Sequence, residues 1–235
     1  MDILIGAALV VGAYLLGSAP QLSALARLRH TSLSGDYHMS LWYRAGKLIA
    51  VMGILGEFIR GAIPVLVGRF LGINLTAVAV AGIAVVCGQM WPVFNKFNGE
   101  KGNTTGVGMA VALAYRPFLA AAICFAIGAG IRVFGRILRR RRSDPKVPVV
   151  GGPFSLSMPL GMLAGFLVLP ITSWLLEEPV EITSAFGVLF VLIVVRRLTA
   201  GLTRDLKAGA GIKQIFIDRL FLDRGLSQST QNELP

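Results

Sequence analysis

The sequence predicts an all-α membrane protein with seven membrane segments, one of them a broken half-helix. Of its 235 residues, 54% are hydrophobic and only 15% are charged, and the mean hydropathy is +0.70. A soluble domain of this length needs a more polar surface. A membrane-spanning helix needs about 20 apolar residues. The apolar runs of the chain lie at roughly 3–22, 48–71, 73–91, 105–135, 153–176 and 182–195.

The first run is expected to remain in the protein as a span. Asp2 stands where a signal peptide carries positive charge, and Ser18-Ala19-Pro20 is a poor cleavage site. Cys87 and Cys124 both lie in apolar runs. That position favours buried, inert thiols over a disulfide.

The fourth run, 105–135, is too long for one simple crossing and contains Arg116-Pro117. Because proline breaks the hydrogen-bond ladder of a helix, we expect a half-helix over 105–115 and a full span over 117–135. The chain would enter the membrane from one side, turn at Arg116-Pro117 and cross back.

The distribution of charge supports this split and predicts the orientation. With the N-terminus outside, the cytoplasmic segments contain or adjoin all but three of the 23 Lys and Arg residues. Those segments are the loops 23–47, 92–104 and 136–152 and the tail after 195. An unbroken fourth run would place Arg139-Arg140-Arg141-Arg142 outside, against the positive-inside rule. The same rule explains the net charge of +11 without nucleic acid, since no aromatic residues are interleaved with the basic runs.

Two regions follow from the change in hydrophobicity: a membrane domain over 1–201 and a cytoplasmic tail over 202–235. The tail is expected either to dock on the membrane domain or to form a short amphipathic helix on the membrane surface. The residues that would form that helix are Ile212, Ile215, Phe216, Arg219, Leu220 and Asp223.

The most informative stretch is the glycine- and lysine-bearing loop over 88–106. Gly99 and Gly102 let backbone N–H groups turn toward an anion, and Lys101 adds a positive charge. One member of the pair Thr104-Thr105 is expected to cap the helix that follows, and a helix N-terminus favours phosphate. At a membrane edge, this combination indicates chemistry on a phosphorylated lipid precursor.

A pair of ionisable residues lies inside the second span. Glu57 and Arg60 are three residues apart, which places them on one face of a helix. Ionisable groups inside a membrane are costly and are functional candidates by default. A structural ion pair is the equally weighted alternative.

The first cytoplasmic loop and the end of the last span add further candidates. Ser34 and Gly35 can offer a hydroxyl and an amide to a phosphate, and Arg44 and Lys47 can hold a second anion. Arg196-Arg197 ends the last span. By itself such a pair is a mark of topology.

Metal and cofactor chemistry is not predicted. His30 and His38 are the only histidines, and with two cysteines and scattered carboxylates they indicate neither a metal site nor a Ser-His-Asp triad. His38 is expected to face solvent rather than to act as a base.

Several motifs carry a resemblance to a known family. Gly17-Ser18-Ala19-Pro20 is similar to a Gly-Ser-x-Pro ending of a first span, and 56–64 to Gly-Asp-x-x-Lys-Gly-x-x-Pro. The clearest motif is Gly-His-x-x-Pro-x-Phe-x-x-Phe-Lys-Gly-Gly-Lys-Gly-x-x-Thr, matched by Gly88, Pro92, Phe94, Phe97, Gly99, Lys101, Gly102 and Thr105. Over about residues 3–201 the chain resembles the PlsY-type family, the bacterial acyl-phosphate:glycerol-3-phosphate acyltransferases.

The chain also departs from the family pattern. Gln89 stands where the family has His, and Glu100 where it has Gly. The segment 34–41 keeps the Ser-Gly of its motif but not the Asn residues or the Pro-Gly. The third motif is reduced to 196–201, without its His, Asn and Glu. In the family those lost residues help to hold glycerol 3-phosphate.

The resemblance implies a multi-pass enzyme of the bacterial inner membrane whose active side is cytoplasmic. It would transfer an acyl group from an acyl phosphate to the 1-hydroxyl of glycerol 3-phosphate and form lysophosphatidate. Lys101 and Ser34 would be the catalytic residues, while the phosphates would be held by Gly35, Arg44, Lys47, Gly99, Gly102, Thr105, Arg196 and Arg197. No cofactor and no nucleic acid is expected, and membrane lipid supplies the surroundings.

Three alternatives stay open. The chain could be a catalytically degenerate paralogue that binds lipid or phosphate, or that regulates an active enzyme as a membrane-protein partner. It could use a different acceptor or donor. The third alternative is a small-molecule transporter built around the broken helix, although no inverted repeat is visible in the sequence.

Overall fold

The structure is a computed structural model that describes residues 2–33, 37–142 and 157–202, together with 206, 215, 219 and 220. These residues form helices joined by turns. The helices are α1 (Asp2–Ser18), α2 (Gln21–Leu28), α3 (Tyr37–Ser40), α4 (Lys47–Phe70), α5 (Leu75–Met90), α6 (Asn103–Leu113), α7 (Tyr115–Arg142), α8 (Ser157–Leu175) and α9 (Val180–Thr199). A π-helical turn over Leu41–Ala45 leads into α4, and a 3-10 turn over Val93–Asn95 follows α5.

Six helical segments within the described residues are long and apolar enough to cross a membrane. They are Ile3–Leu28, Lys47–Phe70, Leu75–Asn95, Tyr115–Leu138, Met158–Leu175 and Val180–Thr199. With 11 residues, α6 spans only about 16 Å, roughly half of a bilayer core. The prediction of an all-helical membrane protein is therefore confirmed for the described residues, with six candidate spans. The seventh membrane segment remains a prediction.

The outer surface of the bundle is apolar, as contact with lipid requires. Along α7, large side chains recur at helical spacing and remain more than half exposed: Ile123, Ile127, Ile131 and Phe134. The hydrophobic core lies between α1 and α4 to α9, and its fully buried members include Val65, Val85, Met109, Phe186 and Leu189.

The expected break of the fourth apolar run is present, at Ala114. This residue is extended (φ −155°, ψ 106°) and separates α6 from α7. Arg116 and Pro117 lie in the first turn of α7 rather than between the helices, because proline is tolerated there. Pro117 has no N–H for the carbonyl of Leu113, and the Arg69 guanidinium of α4 donates to that carbonyl instead.

Close packing of α4 against α6 brings the polar residues of these two helices together. A Cβ atom on Gly108 would lie 1.9 Å from the carbonyl oxygen of Phe58, and one on Gly61 would lie 2.0 Å from that of Thr105. Only glycine permits this approach of two backbones, as in other membrane helix pairs. The Thr105 hydroxyl, which is fully buried, donates to the carbonyl of Glu57 at 3.2 Å.

The C-terminal tail contacts the end of α9 at the few positions that the structure describes. Ile215 and Arg219 are buried, and the Arg219 guanidinium donates to the carbonyls of Leu198 and Ala200. Ile212, Phe216 and Asp223 lie outside the described residues. The division at residue 201 and the amphipathic helix therefore remain predictions.

We expect Gly108→Ala to destabilise the protein, because its methyl group would overlap the backbone of α4. The melting temperature in detergent should fall by about 5 °C or more. Gly130→Ala is the matched control, since a Cβ atom there meets nothing within 4 Å. Alanine favours a helix over glycine, so the control should melt at the same or a higher temperature. Equal behaviour of the two variants would contradict the close contact.

Candidate active site

The loop 91–102 leaves α5 and folds back onto the end of the same helix. The Glu100 N–H donates to the carbonyl of Gln89 at 3.1 Å. Gly99 sits against this closure, where a Cβ atom would lie 2.1 Å from the Gln89 oxygen and 2.4 Å from Pro92 Cδ. Glycine is therefore required at position 99 for steric reasons, so that the chain can return to the mouth of the bundle.

Arg196, at the end of α9, holds this loop in place. Its Nε donates to the carbonyl of Glu100 at 3.0 Å and its Nη2 to that of Gly99 at 2.5 Å. The guanidinium also lies over the Trp91 ring, 5.6 Å from its centroid. Because Arg196 is only 7% exposed and contacts the loop backbone, we assign it a positioning role. Its predicted contact with a substrate phosphate remains a prediction.

The helix that follows the loop begins differently from the prediction. Gly102 is the N-cap residue of α6 and adopts the left-handed conformation (φ 74°), without a capping side chain. The prediction of a capping threonine at 104 or 105 is therefore wrong. The Thr105 hydroxyl instead donates its hydrogen bond to the carbonyl of Glu57. The first turn of α6 nevertheless presents its free N–H groups immediately after Lys101.

A cluster of polar and charged side chains lies beneath the loop. Glu57 is completely buried, and its Oε1 accepts a hydrogen bond from Gln89 Nε2 at 2.7 Å. Arg60 Nη2 is 3.9 Å from the same Oε1, so the predicted pairing of Glu57 with Arg60 on one helix face is present. His38 Nε2 is 3.2 Å from Glu57 Oε2 and 3.6 Å from Glu100 Oε2.

Three residues that no sequence motif predicts join Glu57 and Arg60: His38, Gln89 and Glu100. The prediction that His38 faces solvent is wrong, since its side chain is only 29% exposed and contacts both Glu57 and Glu100. Gln89 and Glu100 were visible only as departures from the family pattern. His38, Gln89 and Glu100 come from α3, α5 and the loop 91–102. Residues that are so far apart in the sequence leave no local spacing pattern from which their contact could be predicted.

A groove with both polar and apolar lining opens beside this cluster. It is lined by Gly17–Ser23 at the end of the first span, Tyr37, Arg60, Gln89, Pro92, Asn95 and Asn98–Glu100. Arg60 Nη1 donates to the carbonyl of Ala19 at 2.9 Å and so fixes one wall. Tyr14 Oη donates to the carbonyl of Trp91 at 2.8 Å and joins the first span to the loop.

The remaining predicted residues lie in other surroundings. Ser34 and Gly35 are outside the described residues. Arg44 is exposed and donates to the carbonyl of Ser32 at 3.1 Å, and the Lys47 ammonium lies 5.9 Å from the centroid of the Trp42 ring. Their predicted contact with a phosphate remains untested.

Arg197 contacts a different part of the molecule from its neighbour Arg196. It is only 2% exposed, and its Nη1 donates to the carbonyls of Pro159, in α8, and Leu220, in the tail. The structure thus places Gly99 and Gly102 on the loop that contains Lys101, and Arg196 of α9 donates to that loop. Arg197 instead joins α9 to α8 and the tail.

These features define a helical membrane protein with a lysine-bearing glycine loop, part of which lines a groove beside a buried polar cluster. The family model for glycerol-3-phosphate acyltransferase matches residues 7–207. The glycerol-3-phosphate acyltransferase of Pseudomonas putida KT2440 is 35% identical over 203 residues, which cover 84% of this chain and 93% of that protein. The glycerol-3-phosphate acyltransferase 4 of Dehalococcoides mccartyi is 27% identical over 230 residues, with 93% and 88% covered.

The fold matches that of a solved membrane enzyme. Crystal structures of PlsY, an integral membrane glycerol 3-phosphate acyltransferase, superpose with a TM-score of 0.65 at 24% identity. The lysophosphatidic acid form covers 90% of this chain and 98% of that one. The chain belongs to the glycerol-3-phosphate acyltransferase family, and the resemblance seen in the sequence is confirmed.

We expect Arg196→Ala to loosen the loop, because the carbonyls of Gly99 and Glu100 lose their donor. Hydrogen exchange of the Glu100 amide, which is bonded to Gln89, should accelerate at least ten-fold while the helices stay protected. Arg196→Lys should give an intermediate rate, since an ammonium does not reproduce the planar guanidinium fork.

Arg116→Ala is the control for this experiment, because Arg116 is exposed at the start of α7. Its exchange at Glu100 should match that of the unaltered protein. Unchanged exchange in Arg196→Ala would remove the positioning role assigned to Arg196.

Proposed function

We propose that this protein transfers an acyl group from an acyl phosphate to the 1-hydroxyl of glycerol 3-phosphate, forming lysophosphatidate. Acyl transfer to glycerol 3-phosphate in phospholipid synthesis is the activity of its family. The acyl-phosphate donor and the residue roles are what the proposal adds. The observation that carries it is the loop 99–102, which Arg196 holds at the groove with Lys101 next to the free N–H groups of α6.

The chemistry suits a site without an evident general base. The 1-oxygen of the acceptor forms a bond to the acyl carbon, and the bond from that carbon to the phosphate oxygen breaks. The departing phosphate is a good leaving group and takes up the proton of the attacking hydroxyl. The protein must then supply position and positive charge rather than strong acid–base catalysis.

The roles follow from the arrangement of the loop. Lys101 and the first turn of α6 compensate the charge of the acyl-phosphate head, Gly102 provides the left-handed turn, and Thr105 holds α6 against α4. Arg196 keeps the loop in position. The contributions of Ser34, Gly35, Arg44, Lys47 and Arg197 to substrate binding are retained as predictions.

The orientation in the membrane is also part of the proposal. The loop 91–102 meets the end of α9 through Arg196 and the first span through Tyr14, so these ends share one side of the bundle. The opposite end carries the acidic turn Glu177-Glu178 and Glu181. With the positive-inside rule, this supports seven membrane segments in a bacterial inner membrane, an outside N-terminus and a cytoplasmic active side.

One observation favours a second candidate, a member that binds phosphate or lipid without turnover. Gln89 and Glu100, which replace the His and Gly of the family pattern, both take part in the cluster with Glu57. The Glu100 carboxylate at the groove repels a bound phosphate and weakens its binding unless a positive charge compensates it.

A turnover assay with the purified protein in detergent tests the proposal and decides between the two candidates. Glycerol 3-phosphate would be offered with an acyl phosphate, an acyl-CoA or an acylated carrier protein. We expect lysophosphatidate from the acyl phosphate alone. Product from another donor would overturn the assigned donor. No product from any donor would favour the second candidate, which binds phosphate or lipid without turnover.

We expect Lys101→Gln to lower kcat/KM for the acyl phosphate by about 100-fold, because a charge that faces the departing phosphate is lost. Lys96→Gln is the matched control, since Lys96 is an exposed lysine of the same loop. The control should remain within about two-fold. Full activity of Lys101→Gln in a folded protein would discard the anion site.

A further inference from the structure

We propose that His38, Glu57 and Glu100 bind a divalent metal cation at the mouth of the groove. The three residues come from α3, the middle of α4 and the loop 91–102. Their candidate ligand atoms all lie within 4.8 Å of one another. One imidazole nitrogen and two carboxylate oxygens form a donor set that suits first-row divalent cations.

The two separations from His38 to the glutamates match a shared metal ion. His38 Nε2 is 3.2 Å from Glu57 Oε2 and 3.6 Å from Glu100 Oε2. Ligand atoms about 2.0–2.2 Å from one cation stand about 2.8–3.6 Å apart at adjacent octahedral or tetrahedral positions. Glu57 and Glu100 offer carboxylate oxygens within 4.8 Å of each other, so rotation of these side chains can bring the third pair to the same spacing.

A second observation is that two buried acceptor oxygens at this place accept no hydrogen bond within the described residues. Glu57 is fully buried, and while its Oε1 accepts from Gln89, its Oε2 accepts no hydrogen bond in the described part of the chain. The same is true of Oε1 of Gln89, which is 5% exposed and whose carboxamide faces Glu57. Buried oxygens without partners are costly unless a cation or water satisfies them.

The neighbours of Glu57 resemble an outer shell around a metal ligand. Gln89 Nε2, at 2.7 Å, and the Arg60 guanidinium, at 3.9 Å, both engage Oε1. These two contacts orient the Glu57 carboxylate so that its Oε2 faces His38. Hydrogen bonds from surrounding groups orient metal ligands in the same way in other metalloproteins. The side chains of His38 and Glu100 are 29% and 23% exposed, so a cation has a path from the groove.

The local charge suggests a role for the cation in phosphate binding, and this role rests on the proposed function. With His38 neutral, Glu57, Glu100 and Arg60 together carry one negative charge next to a groove that would receive phosphate. A divalent cation changes that local charge to +1 and offers open coordination positions to a phosphate oxygen. Without metal, a protonated His38 would only neutralise the cluster.

The test measures binding of Mn²⁺ to the purified, substrate-free protein by electron paramagnetic resonance of the free ion. We expect one site with a dissociation constant in the micromolar range. Glu100→Gln and His38→Gln, both partly exposed, should each weaken binding at least ten-fold. Glu57→Gln should do the same, and its melting temperature would show whether it still folds.

Two matched controls lie away from the cluster: His30→Gln and Glu177→Gln, both at exposed positions. They should bind Mn²⁺ like the unaltered protein. Absence of a site below millimolar Mn²⁺, or equal affinity in Glu100→Gln and Glu177→Gln, would overturn the metal site whether or not the protein is an active acyltransferase.

A second arm tests the link to phosphate. Inorganic phosphate should bind at least ten-fold more tightly in the presence of saturating Mn²⁺, and this gain should disappear in Glu100→Gln. Mn²⁺ binding without any gain in phosphate affinity would overturn the proposed role in charge compensation. Neither arm needs turnover, so failure of the proposed reaction is recognised separately in the donor assay.

Discussion

The fully buried carboxylate of Glu57 is the constraint around which the site is organised. A charge inside a membrane bundle is costly unless other groups compensate it. Glu57 therefore draws partners from four segments: Gln89 from α5, Arg60 from its own helix, His38 from α3 and, through His38, Glu100 from the loop 91–102. The close glycine contacts of α4 with α6 keep this carboxylate in place.

A second arrangement connects the carboxylate cluster to the surface of the groove. Arg196 uses its planar guanidinium on two consecutive carbonyls of the loop, and such a fork is more restrictive than a single ammonium contact. The Glu100 backbone is thus held from α9 while its side chain faces His38. Glu100 therefore connects the loop that carries Lys101 to the buried cluster.

The departures from the family pattern acquire a structural meaning in this arrangement. Gln89 and Glu100 look like unrelated losses when the sequence is compared motif by motif. In the fold they lie in one cluster, with a histidine that the family motif does not contain at that position, His38. The two substituted positions therefore belong to one polar cluster around Glu57 rather than to unrelated parts of the fold.

The sequence by itself determined the membrane class, the six long spans, the interruption near Arg116-Pro117 and the pairing of Glu57 with Arg60. Each depends on local properties: hydropathy over about 20 residues, the missing N–H of proline and the three-residue spacing of a helix face. Family motifs added the reaction and the importance of the loop around Lys101.

Only the tertiary structure decided which polar groups meet. Gly102 rather than a threonine begins α6, since the loop needs a left-handed turn against Met90. Arg196 and Arg197 are adjacent in sequence yet bind different parts of the molecule, because successive residues of a helix point about 100° apart. The cluster of His38, Glu57 and Glu100 depends on three segments brought together by packing, and such long-range contacts leave no periodic trace in a single sequence.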